Sequence, residues 1–312
     1  MRKKKVKALV LLSGGLDSIL AAELLKRQGI KVVGLSFKSY FFDSQKAEEA
    51  AKLLKIPLKV VDFSKEHLKL VKNPKFGYGK SLNPCIDCHI LMLKKAKEIL
   101  KKEKFDFVAT GEVLFERPMS QNPKALKLVE KESSLKDLLL RPLSAKLLPK
   151  TIPEKKGLVD REKLLDICGR SRKIQLELAK KWKIKSFPTP AGGCLLTDLE
   201  FGKRLKALFK INPKANGNDI ETLKVGRHFI FSGVKFIIGR NEKENQKLKI
   251  LARKGDLLIE LKNYPGPTTL IRRYKKERKL EKIIEKGKKL TKFYSTKARN
   301  KRNVEFLVLK VL

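Results

Sequence analysis

Residues Val6 to Leu12 form a nearly unbroken apolar run, and Ser13-Gly14-Gly15-Leu16-Asp17-Ser18 follows it directly. This order constrains the fold more than any other feature of the chain. An apolar run of strand length predicts a strand buried on both faces, as in a parallel sheet. The glycines let the backbone turn its N–H groups toward an anion. A helical pattern begins at Asp17, so the positive end of a helix points at the same place. Ser13 and Ser18 add hydroxyls. The loop has neither the lysine nor the length of the G-x-x-x-x-G-K-S/T loop that holds a transferable γ-phosphate.

Strand and helix then alternate. Helices are predicted over 17–28, closed by Gly29 as a C-terminal cap, and over 46–54 and 88–102. Strands are predicted over 30–37, 58–63 and 105–110. This order implies an α/β fold, a doubly wound parallel sheet covered on both faces. Residues 112–157 read as less regular, 161–182 as helical, 186–194 as a loop and 199–209 as a helix. The segment Asn212-Pro-Lys-Ala-Asn-Gly-Asn218 reads as a boundary, which gives domains at 1–210 and 220–312. Beyond it, short apolar runs at 228–231, 234–238, 257–261, 268–271 and 304–311 predict a smaller α+β module with a basic helix around 273–290.

Lys and Arg number 74 against 33 Asp and Glu, a net charge of +41. A field of that sign calls for a polyanionic partner, nucleic acid ahead of an anionic membrane surface. The lysine enrichment of hyperthermophiles comes with matching glutamate, which this chain lacks. No run of 18 apolar residues occurs, so no membrane span is expected. The basic start lacks a cleavage site, so no signal peptide and a cytoplasmic location are expected. Of the cysteines, Cys85, Cys88, Cys168 and Cys194, the close pair reads as metal-binding or catalytic rather than as a staple.

The motif S-G-G-x-D-S between strand and helix resembles the pyrophosphate loop of the PP-loop ATPases, the adenine nucleotide alpha hydrolase-like enzymes. That resemblance implies ATP cleaved between its α and β phosphates and adenylation of a substrate oxygen. It assigns Ser13, Gly14, Gly15 and Ser18, with Ser36 and Gly111, to the nucleotide, and Asp17 to a catalytic place near the phosphates through Mg²⁺. Asn83-Pro84-Cys85-Ile86-Asp87-Cys88-His89, Thr110-Gly111-Glu112 with Ser120-Gln121, Arg141-Pro142-Leu143 and Pro190-Ala-Gly-Gly-Cys194 together resemble the tRNA thiouridine synthetases over roughly residues 6–205. The T-G-E, S-Q and R-P-L pieces are most similar to the 4-thiouridine type. N-P-C-x-x-C is more similar to the 2-thiouridylases.

The resemblance implies tRNA as substrate and 4-thiouridine as product, with 2-thiouridine at the wobble position as the alternative. Adenylation turns a poor leaving oxygen into AMP, and a sulfur nucleophile displaces it. Two sulfur routes are open. Cys85, Cys88 and Cys194 ligate a 4Fe–4S cluster with one iron left free, or one of them carries a persulfide that another resolves. The first route is favoured because three cysteines lie in loops. Zinc, with His89 as fourth ligand, is a third option. Sulfur would come from a cysteine desulfurase or inorganic sulfide. Cys168 reads as a packed core thiol, and His67 receives no role. The oligomeric state is open, a homodimer included.

Phe236-Ile-Ile-Gly239-Arg240-Asn241, Gly255-Asp256, Tyr264-Pro265-Gly266-Pro267 and Tyr294-Ser295-Thr-Lys-Ala-Arg299 resemble the NFACT-R RNA-binding domain over roughly 224–312. That family carries an aromatic residue and a histidine after the aspartate matched by Asp256. Leu257-Leu-Ile-Glu260 stands there instead. By residue chemistry, Arg240 and Asn241 form a turn with donors for phosphate, and Arg272, Arg273, Lys275, Lys276, Arg278 and Lys279 form a basic run suited to phosphate contact. Competing readings are an amide- or lysidine-forming ligase, which needs no sulfur carrier, a non-catalytic RNA-binding factor, and a membrane-surface binder supported by charge alone.

Overall fold

The computed structural model describes residues 5–187, 193–274 and 280–312. The chain divides into two compact units, Met1–Thr197 and Asp198–Leu312. The first contains β1 (Lys7–Leu11), α1 (Leu16–Arg27), β2 (Lys31–Lys38), α2 (Gln45–Leu54), β3 (Leu58–Asp62), α3 (Ser64–Lys72) and α4 (Cys85–Glu103). It continues through β4 (Phe107–Ala109), α5 (Pro123–Ser133), β5 (Leu139–Leu140), α6 (Ile152–Lys155) and α7 (Lys173–Lys181). The strands pair in the order β3-β2-β1-β4-β5, and every pairing is parallel. β1 is central, and its side chains alternate. Ala8 and Val10 join one core with α1 and α2, while Leu9 joins a second with Ile90, Leu93 and Ala96 of α4. A strand apolar on both sides suits only this sandwiched position.

Gly29 ends α1 as the sequence predicts. Its φ is 77°, its N–H donates to Lys26 O at 2.8 Å, and Ile30 N donates to Leu25 O at 3.3 Å. That is a Schellman closure, which needs the left-handed conformation glycine adopts freely. α4 begins earlier than predicted, at Cys85, because Asp87 turns back to accept Lys75 N at 2.9 Å and Phe76 N at 3.0 Å.

The helix predicted over 161–182 is confined to α7, with a 3-10 turn at Arg161–Lys163. Between them the chain runs extended beside the Arg141-Pro142-Leu143 segment. Leu165 N donates to Pro142 O and Ile167 N to Leu143 O, at 3.0 and 2.8 Å. Backbone pairing overrides the local helical pattern, and Cys168, expected in the core, is exposed and bridges Leu114.

The second unit contains α8 (Leu199–Ile211), α9 (Gly217–Leu223), β6 (Arg227–Phe231), β7 (Val234–Ile238), α10 (Glu242–Leu251), β8 (Leu257–Leu261), β9 (Thr269–Arg273), α11 (Leu280–Phe293) and β10 (Phe306–Lys310). Its antiparallel sheet has the order β10-β8-β9-β7-β6. Ser232 and Gly233, with φ of 48° and 78°, form the left-handed pair that a tight β6–β7 hairpin requires. α11 packs on one face through Ile283, Ile284 and Leu290, and a Cβ on Gly287 would lie 2.6 Å from Ile271 Cδ1.

The unit boundary lies ahead of the expected 212–218 segment. That segment is a cap rather than a linker: Asn216 accepts Asp219 N, and Asn212 donates to Asp219 Oδ2 at 3.3 Å. Among the described residues no helix is long and apolar enough to cross a membrane.

The basic run does not form one helix. Arg272 and Arg273 end β9, α11 begins at Leu280, and Lys275, Lys276, Arg278 and Lys279 lie outside the described residues. Arg272 is 0% exposed, so it is not presented to a phosphate. Its guanidinium donates to Asp256 Oδ2 at 2.7 Å, Asp219 Oδ1 at 3.0 Å and Asn218 Oδ1 at 2.7 Å. This guanidinium offsets the burial of two carboxylates at once. Arg272→Met should therefore lower the stability of the second unit by about 3–5 kcal/mol in urea denaturation, because an uncompensated buried charge remains.

Candidate nucleotide and thiol site

The loop at 13–18 leaves β1 at its carboxyl end, next to β4. Strands run outward from β1 on both sides, so this is where an open parallel sheet forms its ligand crevice. Two contacts shape the loop. Gly14 has φ of +80°, and a Cβ there would lie 2.4 Å from the Lys46 carbonyl. A Cβ on Gly111, just past β4, would lie 2.5 Å from Ser18 N and 2.6 Å from Asp17 C. Only glycine fits either position. Inside the loop Ser18 Oγ donates to Gly15 O at 2.8 Å, and Ser13 Oγ accepts Gly15 N at 3.3 Å. Gly15 caps α1 with no side-chain acceptor, so the helix's leading N–H groups have no capping side chain. Ser36 is buried in β2, two strand positions past Gly34, which pairs with Val10 of β1.

Asp17 sits in the first turn of α1. Burial raises its pKa, and Arg172, Gln175 and Arg117 beside it pull the other way. Among the described residues Asp17 Oδ1 and Arg172 Nε are buried without a hydrogen-bond partner, and Gln175 lies at hydrogen-bonding reach of the Asp17 carboxyl. Buried polar atoms are normally paired, so this group is arranged for something that binds there. Glu116 is close enough that the Asp17 charge raises its pKa as well. A cation between two carboxylates fits this donor chemistry, and Asp17 would be its ligand. Sequence reading missed Glu116 and Arg117, which lie in the irregular stretch after β4, and Arg172 and Gln175, which lie at the start of α7. Their only signal was polarity.

The cysteines come from two segments. Cys85 and Cys88 lie one turn apart at the start of α4, and Asn83 Nδ2 donates to Cys85 Sγ at 3.2 Å. Cys194 precedes a 3-10 turn at Leu195–Thr197, anchored by Leu195 N on Phe41 O at 3.0 Å. Residues 188–192 of its loop lie outside the described residues. The three thiols are neighbours. Burial, then the charges of Cys194 and Cys85, raises the Cys88 thiol well above its ordinary value. Burial, with Cys85 behind it, pushes Cys194 up to about 11, while Arg117 acts against the rise. Among the described residues no group of three His, Cys, Asp or Glu stands at metal-ligand spacing. Three neighbouring thiols suit a cluster in their chemistry.

His89, the fourth ligand of the zinc option, joins a carboxylate network through one ring nitrogen. Its Nδ1 lies 3.2 Å from Glu112 Oε1. Glu112 also accepts Thr110 Oγ1 at 2.9 Å and Arg141 Nε at 3.0 Å, and Arg141 reaches Glu130. The T-G-E and R-P-L motifs thus meet in one buried ion network beside α4. His67, without a role in the sequence, is buried among Phe41, Phe42 and Phe63, stacked on Phe63 at 4.9 Å, with Nδ1 3.0 Å from Ser39 Oγ.

In the second unit, Arg240 and Asn241 are already engaged. Asn241 Oδ1 caps α10 by accepting Glu244 N at 3.0 Å, and the Arg240 guanidinium pairs with Glu244 at 2.5 Å. Arg273 is partly exposed and donates to Gly255 O at 3.2 Å.

Burial opposes ionisation of Glu112, yet Arg141, followed by His89, holds its carboxyl down to about 2. A folded-state pKa below the unfolded one gives stability that is present above the unfolded pKa and lost as pH falls. The stability difference between the wild type and Glu112→Gln should be about 3–5 kcal/mol at pH 7. It should shrink as pH is lowered from about 4.5 to about 2, followed by thermal unfolding across that range.

Residues 6–156 match the family model described as the tRNA methyl transferase HUP domain, and residues 226–310 match the NFACT protein RNA binding domain. A tRNA-specific 2-thiouridylase MnmA of Karelsulcia muelleri is 36% identical over 152 residues, 44% of this chain and 39% of that protein. The enzyme of that name from Caldicellulosiruptor saccharolyticus is 28% identical over 227 residues, 64% of this chain and 58% of that one. The chain thus spans less than two thirds of either relative. A crystal structure of a 4-thiouridine synthetase–RNA complex with bound ATP aligns with a TM-score of 0.38 at 20% identity, covering 64% of this chain and 53% of that one. Residues 6–156 are thus similar to the tRNA methyl transferase HUP domain, and residues 226–310 to the NFACT protein RNA binding domain.

Proposed function

We propose that this chain is an ATP-dependent tRNA sulfurtransferase of the cytoplasm that adenylates a uridine carbonyl oxygen and replaces it with sulfur. One observation carries the reading. The phosphate loop and the three thiols lie in one unit, with Arg117 near both Asp17 and Cys194. An adenylating site alone needs no thiols, and a thiol site alone needs no phosphate loop.

The loop N–H groups and the start of α1 would hold the ATP phosphates, and Mg²⁺ bound by Asp17 would supply charge neutralisation. Arg172, beside Asp17, has a buried Nε–H that could hold the same phosphates. The uridine oxygen attacks the α-phosphorus and pyrophosphate leaves. A cysteine persulfide then attacks the activated carbon, and AMP leaves with the oxygen. A second cysteine thiolate attacks the Sγ of the first cysteine, and the S–S bond to the transferred sulfur breaks with the nucleoside sulfur as leaving group. It releases thiouridine and leaves a disulfide for an external thiol to reduce. Cys85, Cys88 and Cys194 are the three candidates, since their thiols act on one another's charge. The 4Fe–4S reading would require iron and acid-labile sulfide in anaerobically purified protein. Their absence from protein that still thiolates RNA would remove it.

The product is 4-thiouridine by the T-G-E, S-Q and R-P-L motifs, whose Glu112 and Arg141 meet in the structure. The names of the relatives above favour 2-thiouridine instead. Mass spectrometry of nucleosides from tRNA incubated with the protein, ATP and a sulfur source separates the two. Asp17→Ala should lower thiolation at least about a hundredfold while RNA binding persists. Cys194→Ser should abolish thiolation yet leave tRNA-dependent pyrophosphate release. Loss of both activities in Cys194→Ser would contradict the division of roles.

A further inference from the structure

Among the residues expected to contact RNA, Arg272 is buried and Arg240 pairs with Glu244, while Lys275 and Lys276 lie outside the described residues. Another surface of the second unit has the missing properties. Lys282, Lys286, Lys289 and Phe293 recur along α11 at spacings of four, three and four, which puts them on one helix face, and all four are exposed. Among the described residues these lysines have no ion-pair partner, and Glu285 is held by Lys288 at 2.8 Å. The opposite face of α11 is the buried one, through Ile283, Ile284 and Leu290.

The stripe adjoins β6, an edge strand. Lys286 Nζ lies 4.4 Å from the centre of the Phe231 ring, and Arg227 lies 4.9 Å from the Tyr294 ring beside Phe293. Phe231 is 41% exposed and Phe293 56% exposed. Each ring is braced from one side, Phe231 by Phe236 at 5.8 Å and Phe293 by Tyr294 at 5.0 Å. Large exposed rings held in place, each beside a cation, are what sequence-tolerant base stacking uses, while the lysines track the phosphates. Duplex RNA hides its base faces, so the rings fit unpaired nucleotides.

We propose that the α11–β6 surface binds a single-stranded segment of RNA, with bases stacked on Phe231 and Phe293 and phosphates on Lys282, Lys286 and Lys289. The proposal rests on the reading of the chain as an RNA-acting enzyme. A base arriving on Phe231 displaces the Lys286 ammonium from the ring toward the adjacent phosphate, so the cation is kept in use.

The test is fluorescence anisotropy of the full chain with a labelled single-stranded RNA and a blunt RNA duplex, over a series of salt concentrations. Phe231→Ala with Phe293→Ala should weaken single-strand binding at least about tenfold and leave duplex binding within about twofold. Phe293→Ala alone, at a site that supports no core, should weaken it in the same direction, and Phe293→Trp should restore it. Replacing the three lysines by alanine should weaken binding to both RNAs and reduce the single-strand salt slope by roughly two. Single-strand affinity unchanged in the aromatic variants, or a salt slope unchanged in the lysine variant, would overturn the proposal. If the wild type thiolates tRNA while these variants bind normally, this surface fails and the enzymatic reading stands. If the wild type binds no RNA at all, both fall. Phosphatidylglycerol vesicles that bind with the same dependence on Phe231 and Phe293 would assign the surface to lipid instead and also overturn it.

Discussion

Two missing side chains govern the first unit. Gly14 lies against the Lys46 carbonyl and Gly111 against the backbone of Asp17 and Ser18, each closer than any Cβ permits. The loop is therefore clasped between the start of α2 and the segment leaving β4. This close approach brings the start of α1 and the end of β4 together at the crevice of the sheet. The same exit from β4, through Thr110 and Gly111, carries Glu112 to His89 of α4, the helix that opens on Cys85 and Cys88. Any larger residue at either glycine would separate the phosphate loop from the groups that serve it.

Each unit then has its own buried ion network. Glu112, Arg141, His89 and Glu130 join the exits of β4 and β5 to α4 and α5. Arg272, Asp219 and Asp256 join β9 to α9 and the turn before β8. Both use arginine, whose planar fork can satisfy two carboxylates at once in a buried place. They differ in what surrounds them. The first belongs to the unit that holds the unpartnered polar atoms around Asp17 and the thiols, whereas the second is closed by hydrogen bonds to Asn218 and the Leu251 carbonyl. At the start of the basic run the β9 pleat thus turns Arg272 inward as a core pin and leaves Arg273 partly exposed.

Four strands of the parallel sheet, with boundaries to within a residue or two, and the loop at 13–18 were legible because each depends on local pattern, whereas the two-residue β5 at Leu139–Leu140 was too short to leave one. Apolar runs, a glycine turn and a cap at Gly29 act over short spans of chain. Cys168 was misplaced because Leu164, Leu165 and Ile167 follow a helical period that backbone pairing with Pro142 and Leu143 overrides. Arg117, Arg172 and Gln175 were invisible because nothing in their local pattern sets them apart, and only their convergence on Asp17 distinguishes them. His67 looked idle in a charged stretch, yet aromatic rings from other segments enclose it.

By itself the sequence determined a phosphate-binding turn on a parallel sheet, three cysteines available as sulfur or metal ligands, and a strongly basic partner surface somewhere in the chain. These follow from residue chemistry and short-range spacing. Tertiary structure decided which charges are free and which are spent. It buried Arg272 between aspartates, tied Arg240 to its own helix, and left the lysines of α11 beside exposed rings. The reason is physical: a charge becomes available to a ligand only where no nearer group already satisfies it, and nearness across the chain is set by packing.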